Sequence, residues 1–147
     1  METDCTFCRI VKGELRSTLV EDGELCLVIL DRNQAARGHL LVIPKQHVTL
    51  WHELDHSVVA EMTLKAHRWA GVLVEALRPD GYNLLMNNGA AAGQDVFHAH
   101  LHITPRSIDD GYYKLGGSHL LLSDSAASAL GDLLREVSMR SVALPEP

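Results

Sequence analysis

Three histidines alternate with apolar residues in the run His98-Ala99-His100-Leu101-His102-Ile103-Thr104-Pro105-Arg106. Strict alternation predicts a β-strand with one polar and one apolar face. Residues two apart share a face, so the imidazoles form a row with steps of about 6.6 Å. Ala99, Leu101 and Ile103 then face a core. Pro105, which has no N–H for the ladder, is expected to end the strand. A row of imidazoles can hold a metal or transfer protons and groups. A surface strand with histidine as filler is the bland alternative, and three in one row is a poor chance outcome.

Two further features carry chemistry. Cys5-x-x-Cys8 puts two thiols three apart on one helical face. They can be two small buried residues. As a redox pair they lack a surrounding βαβ pattern, and as metal ligands they need two partners more. The second feature is Asn83-Leu84-Leu85-Met86-Asn87-Asn88-Gly89, a strand running into a turn. The small-residue loop Ala90-Ala91-Ala92-Gly93-Gln94-Asp95 follows and leads straight into the histidine row. Cys26, alone in an apolar stretch, reads as a small core residue.

From about Cys5 to Arg106 the chain resembles the histidine-triad (HIT) family of nucleotide hydrolases and transferases. The resemblance rests on Gly38-His39-Leu40-Leu41-Val42-Ile43-Pro44-Lys45, on the turn and loop before the row, and on the pattern His-apolar-His-apolar-His-apolar-apolar. Only Thr104 departs from that pattern. The resemblance implies His100 as nucleophile, with the His98 carbonyl holding its ring. His102 would contact the phosphate, Gly93 and Gln94 would frame it, and the Asn87 amide would hold the same region. Asp31 would accept hydrogen bonds from the ribose hydroxyls, as a two-oxygen acceptor can. Phe7, Ile10 and Ile29 would wall the base pocket, and His39 would stand beside the row. Many such proteins carry zinc on a Cys₂His₂ set, here Cys5, Cys8, His47 and His98. The family also implies a homodimer whose two sheets continue across the interface.

The implied reaction is attack on the α-phosphorus of a purine nucleoside phosphoramidate, a nucleotidyl ester or a dinucleoside polyphosphate. A covalent nucleotidyl-histidine divides one hard step into two easier ones, and water releases AMP or GMP. No metal is required for that chemistry. If His98 holds zinc, protonation of the leaving group falls to His102 or to the substrate. Two other readings compete: a zinc-dependent hydrolase with the row as its metal site, and a non-catalytic nucleotide-binding module. Two departures from the family bear on the site. Gln34 and Arg37 stand in a loop that usually contains proline. Asp95 stands where many relatives carry Ser or Thr; an ionised carboxylate cannot donate to a phosphate and repels it. Asp95 can turn away, be protonated, or pair with a basic leaving group, and the last suggests a preference for amine-bearing substrates.

The elements needed to position these residues are legible in order. A short helix is expected over 5–12, with Thr3 or Asp4 as cap and Gly13 as stop. Strands are expected over 18–21 and 25–30, joined at Asp22-Gly23. A polar loop over 31–38 leads to His39 and a strand over 40–43. Leu54, Val58, Met62, Ala66, Trp69, Leu73 and Leu77 recur at helical steps, predicting about six turns ended by Pro79-Asp80-Gly81. His52, His56 and His67, on or near that helix, read as solvated. Residues 107–117 read as a loop, and Ser123 or Ser125 can cap a last helix with Leu130, Leu133, Leu134 and Val137 on one stripe. The class is α+β, and the resemblance specifies an antiparallel five-stranded sheet, one long helix and short terminal helices.

The 147 residues suit one domain spanning 1–147, with its core over 5–106 and a tail and helix over 107–147. A net charge of −6 argues against binding a nucleic-acid polymer, though not against binding one nucleotide. No apolar run approaches membrane-spanning length. Met1-Glu2-Thr3-Asp4 is acidic and unlike a signal peptide, so three reduced cysteines in a cytoplasmic protein are expected.

Overall fold

The computed structural model describes residues 5–111 and 120–141. The expected caps Thr3 and Asp4, and the part of the expected loop over 112–117, lie outside the described residues. Helix α1 (Thr6–Val11) is followed by β1 (Thr18–Asp22), β2 (Cys26–Leu30), a two-residue β3 (Asn33–Gln34) and β4 (Leu40–Pro44). The long helix α2 (His56–Leu77) precedes β5 (Gly81–Leu85), β6 (Leu101–Arg106), a two-residue β7 (Leu120–Leu121) and α3 (Asp124–Ser141). The main sheet has five antiparallel strands in the order β1-β2-β4-β6-β5. A separate small ladder joins β3 to β7.

β2 and β4 are buried along their whole length because both faces of the sheet are covered. Cys26, Val28, Leu30, Leu40, Val42 and Ile103 pack against Met62, Ala66, Trp69 and Leu73 of α2 and Leu130, Leu134 and Val137 of α3. The alternate residues Leu27, Ile29, Leu41 and Ile43 pack with Phe7, and Ile10 lies against them. Burial of each large apolar side chain contributes about 1.5–3 kcal/mol. His102 pairs with Leu41 and Ile103 with Leu40, so the polar face of β6 lies on the α1 side of the sheet. His52, His56 and His67 are exposed, as expected of solvated side chains.

Several boundaries differ from the sequence reading. β6 runs through Pro105 to Arg106 rather than stopping at the proline. Its pairing with β4 extends only as far as Ile103, so Pro105 has a partner strand on one side only and its missing N–H leaves that edge intact. His98 and His100 precede the regular strand. The first hairpin turns at Glu24 and Leu25 instead of Asp22-Gly23, since Asp22 pairs with Leu27 and the Gly23 N–H donates to the Cys26 carbonyl at 2.9 Å. Glu61 of α2 accepts from the Leu25 and Cys26 N–H groups at about 3 Å, which places that turn from outside the hairpin. α1 begins after Cys5, its N-cap residue. α3 is longer than a short terminal helix, at 18 residues, because its apolar stripe completes the core; Ser123 caps it, its Oγ accepting from the Ala126 N–H at 3.2 Å. Among the described residues no helix is long and apolar enough to cross a membrane.

Candidate active site and metal centre

The three histidines of the row face one side but serve different surroundings. His98 is fully buried, and its Nε2 donates to the Pro44 carbonyl at 2.8 Å. That bond places the ring proton on Nε2 and leaves Nδ1 as a lone pair. His98 Nδ1 lies 3.5 Å from Cys5 Sγ, 3.6 Å from Cys8 Sγ and 3.2 Å from His47 Nδ1. Cys8 Sγ is 3.1 Å from His47 Nδ1. A tetrahedral zinc with ordinary Zn–S and Zn–N bonds needs ligand-to-ligand edges of about 3.3–3.8 Å. These four contacts come within about 0.2 Å of such edges and all four donor atoms lie within 4.8 Å of one another, and the donor chemistry, two thiols and two imidazoles, suits a closed zinc site. Burial pushes the His98 pKa down to about 4; the Pro44 carbonyl opposes that, while His47 and His100 add to it. The ring is therefore neutral near pH 7, the form that ligates a metal.

The turn back of α1 brings the two thiols together. Cys5 and Cys8 are at its start, and Gly13, with φ +73, closes its end. Phe7, between them, meets the His100 ring edge-on at 4.9 Å. His100 is almost fully buried, and its Nδ1 donates to the His98 carbonyl at 2.7 Å. In the neutral ring of His100 the lone pair is therefore on Nε2. The His102 ring lies 4.7 Å from that of His100. Burial, reinforced by His100, pulls the His102 pKa down to about 4, and the carboxylate of Asp95 opposes the shift.

His102 Nδ1 is 2.9 Å from Nε2 of His39, and the two rings stack. His39 Nδ1 lies 3.4 Å from Asp31 Oδ2 and receives the Ala35 N–H at 3.3 Å. Asp31 Oδ1 accepts from the Asn33 N–H at 2.9 Å. The loop that carries these groups is shaped by Gln34, which is fully buried. Its amide nitrogen donates to the carbonyls of Asp31 and His39 at 2.5 and 2.9 Å, and its oxygen accepts from the N–H groups of Gly38 and His39 at 2.6 and 3.1 Å. Gly38 adopts φ +96 against Leu73 and Leu77, a place without room for a side chain. Arg37 is exposed.

The loop before the row is also braced internally. Gln94 is buried; its oxygen accepts from the Gly89 N–H at 2.7 Å and its nitrogen donates to the Thr49 and Val96 carbonyls at 2.8 and 3.1 Å. The N–H groups of Gly93 and Gln94 already donate to Ala90 and Gly89. Asn87 Nδ2 donates to the Gly93 carbonyl at 3.1 Å. These three residues therefore fix the shape of the loop. Direct donation from the Gly93 and Gln94 N–H groups would require giving up those bonds, whereas Asn87 Nδ2 carries a second hydrogen beside the one on the Gly93 carbonyl. Asp95 is exposed, its carboxylate accepting from the Val96 N–H at 2.9 Å. Ile29 and Phe7 are buried and Ile10 half-buried in one apolar cluster beneath the row.

Among the described residues, candidate ligand sets contain either His98 or His102, each with residues from outside the row. The imidazoles of the row do not converge on one ion. The second set, Asp31, His39 and His102, has two nitrogens in direct hydrogen-bond contact. Sequence reasoning passed over the bracing roles of Gln34, Pro44 and Thr49. Gln34 was visible only as a departure from the usual loop, and a backbone carbonyl leaves no signal in residue type.

A family model described as HIT domain matches residues 12–108. An adenylylsulfatase of Arabidopsis thaliana is 41% identical over 137 residues, covering 92% of this chain and 70% of that protein. An adenosine 5'-monophosphoramidase of Schizosaccharomyces pombe is 34% identical over 128 residues, covering 87% and 93%. A zinc-bound histidine triad family protein from Mycobacterium smegmatis superposes with TM-score 0.79 at 34% identity, covering 97% of this chain and 99% of that one.

Proposed function

Because this chain belongs to the histidine-triad family, we propose that it is a nucleotide hydrolase in which His100 attacks the α-phosphorus of an adenosine nucleotide. The observation that carries the reading is the 2.7 Å bond from His100 Nδ1 to the His98 carbonyl, which commits the proton to Nδ1 and frees Nε2. Nε2 forms a bond to phosphorus as the bond from phosphorus to the leaving group breaks. Water then attacks the nucleotidyl-His100, the P–N bond breaks, and AMP leaves with His100 regenerated. His102, two residues along with its ring 4.7 Å from that of His100, stabilises phosphate charge and is the group in place to protonate the leaving atom. Asp31 accepts from the ribose, and Phe7, Ile10 and Ile29 form the floor beneath the base.

The named activities of the relatives differ in leaving group, sulfate in one and an amine in the other. The exposed Asp95 carboxylate disfavours an anionic leaving group, so a nucleoside phosphoramidate is the favoured substrate class. Cys5, Cys8, His47 and His98 would hold a zinc ion, which would pin the segment carrying His100 and take no part in bond making. A cytoplasmic location would keep the thiols reduced and fit for metal binding. The protein acts as a homodimer through β5, an edge strand with Tyr82, Leu84 and Leu85 exposed.

The test is single-turnover quenching with adenosine phosphoramidate and intact-mass detection of an adenylylated protein. Adduct formation that is lost in His100→Ala, with AMP binding retained, supports the proposal. Equal and negligible turnover in both forms would point to a binding module.

A further inference from the structure

We infer that Gln34, through the loop it holds, sets the ring proton of His39 and thereby makes His102 a proton donor at Nε2. Gln34, Ala35 and His39 are then positioning residues for the proposed reaction, and the kinetic part of the inference rests on that reading. One chain of hydrogen bonds connects the Gln34 loop to His102. A backbone N–H can only donate, so the Ala35 N–H at 3.3 Å from His39 Nδ1 requires a lone pair there. Neutral His39 must then carry its proton on Nε2. That nitrogen is 2.9 Å from His102 Nδ1, which must be the acceptor. Neutral His102 is left with its proton on Nε2. His100, beside it, carries its proton on Nδ1. Two adjacent imidazoles thus present opposite faces to the substrate, one a bare nitrogen and the other an N–H.

Gln34 governs this because it is fully buried and uses both ends of its amide on the loop. Its nitrogen bonds the carbonyls of Asp31 and His39, and its oxygen bonds the N–H groups of Gly38 and His39. All four contacts are local, and together they fold the loop so that the Ala35 N–H points back at the ring of His39. The competing arrangement would give the His39 Nδ1 proton to Asp31 Oδ2, at 3.4 Å. It would reverse both tautomers, turn His102 Nε2 into a second lone pair and leave the Ala35 N–H facing a ring N–H.

Long-range ¹H–¹⁵N spectra of the zinc-loaded protein, labelled at histidine nitrogen, read the three tautomers directly and need no substrate. The expected result is Nε2–H at His39 and His102 and Nδ1–H at His100. Finding His102 as Nδ1–H overturns the inference, whatever the enzyme acts on. In Gln34→Ala the His39 and His102 signals should shift toward mixed tautomers. kcat for adenosine phosphoramidate should fall on the order of tenfold or more, with KM within about threefold. Gln34→Glu keeps the acceptor end and loses the donor end, and should fall between wild type and Gln34→Ala in both readouts. Unchanged tautomers in Gln34→Ala overturn the role of Gln34. If the wild type turns over no nucleotide but shows the expected tautomers, the proposed reaction fails and the hydrogen-bond chain stands.

Discussion

Stripping zinc from Cys5, Cys8, His47 and His98 should lower stability while leaving turnover nearly intact. The four donor atoms lie 3.1–3.6 Å apart at the contacts measured, close to the edges of a tetrahedral zinc cage, so a zinc ion would need little rearrangement to bind. At free zinc 100-fold above Kd the folded state gains about 2.7 kcal/mol, and for a chain of this size each kcal/mol moves Tm by about 2–4 °C. The expected loss on chelation is therefore about 5–11 °C. The assay is thermal unfolding with and without chelator, for the wild type and for Cys5→Ala/Cys8→Ala, alongside kcat/KM at 25 °C, well below either transition. The double variant should melt low and ignore the chelator. The wild type should lose its Tm advantage yet keep kcat/KM within about threefold, because His100 Nε2 is outside the ligand set. A loss of activity on chelation with the fold intact would refute the assignment of a structural metal and return the row to metal catalysis. A chelator shift equal in both proteins would refute the ligand set.

Three further outcomes follow from the same geometry. Asp95→Asn should raise kcat/KM for adenylyl sulfate relative to adenosine phosphoramidate by about 3- to 30-fold, the reach of one charge across a partly solvated site; an unchanged ratio removes Asp95 from substrate choice. His102 has its folded pKa lowered from 6.5 to about 4, so the unfolded chain binds the extra proton between those values and stability falls as the pH drops through that window. Denaturant titrations between pH 7 and 4 should show a steeper acid loss in wild type than in His102→Asn, by up to about 1.4 kcal/mol per pH unit; parallel curves would contradict the shift. Leu84→Glu on the exposed edge strand β5 should yield monomers by analytical ultracentrifugation, and a dimer unaffected by it would place the interface elsewhere.

Much of this architecture is local information. The three-four spacing from Leu54 to Leu77 specifies α2, because one apolar stripe is all a helix needs to find a sheet. Alternation in the row puts Ile103 in the core and His102 on the opposite face, since a strand offers only two faces. Residue type likewise singled out the imidazoles as candidate catalytic groups and Cys5 and Cys8 as candidate metal ligands. The turn at Glu24 and Leu25, the passage of β6 through Pro105 and the length of α3 depended on Glu61, on where β4 stops pairing and on the shared core, which are contacts between distant segments. The tertiary structure alone decided which ring nitrogen is free. His98 is oriented by a carbonyl of β4, His100 by the carbonyl of His98, and His39 by a loop folded around Gln34. An imidazole's tautomer is set by whichever backbone group reaches it, and the amino-acid sequence names side chains without saying which carbonyl will arrive.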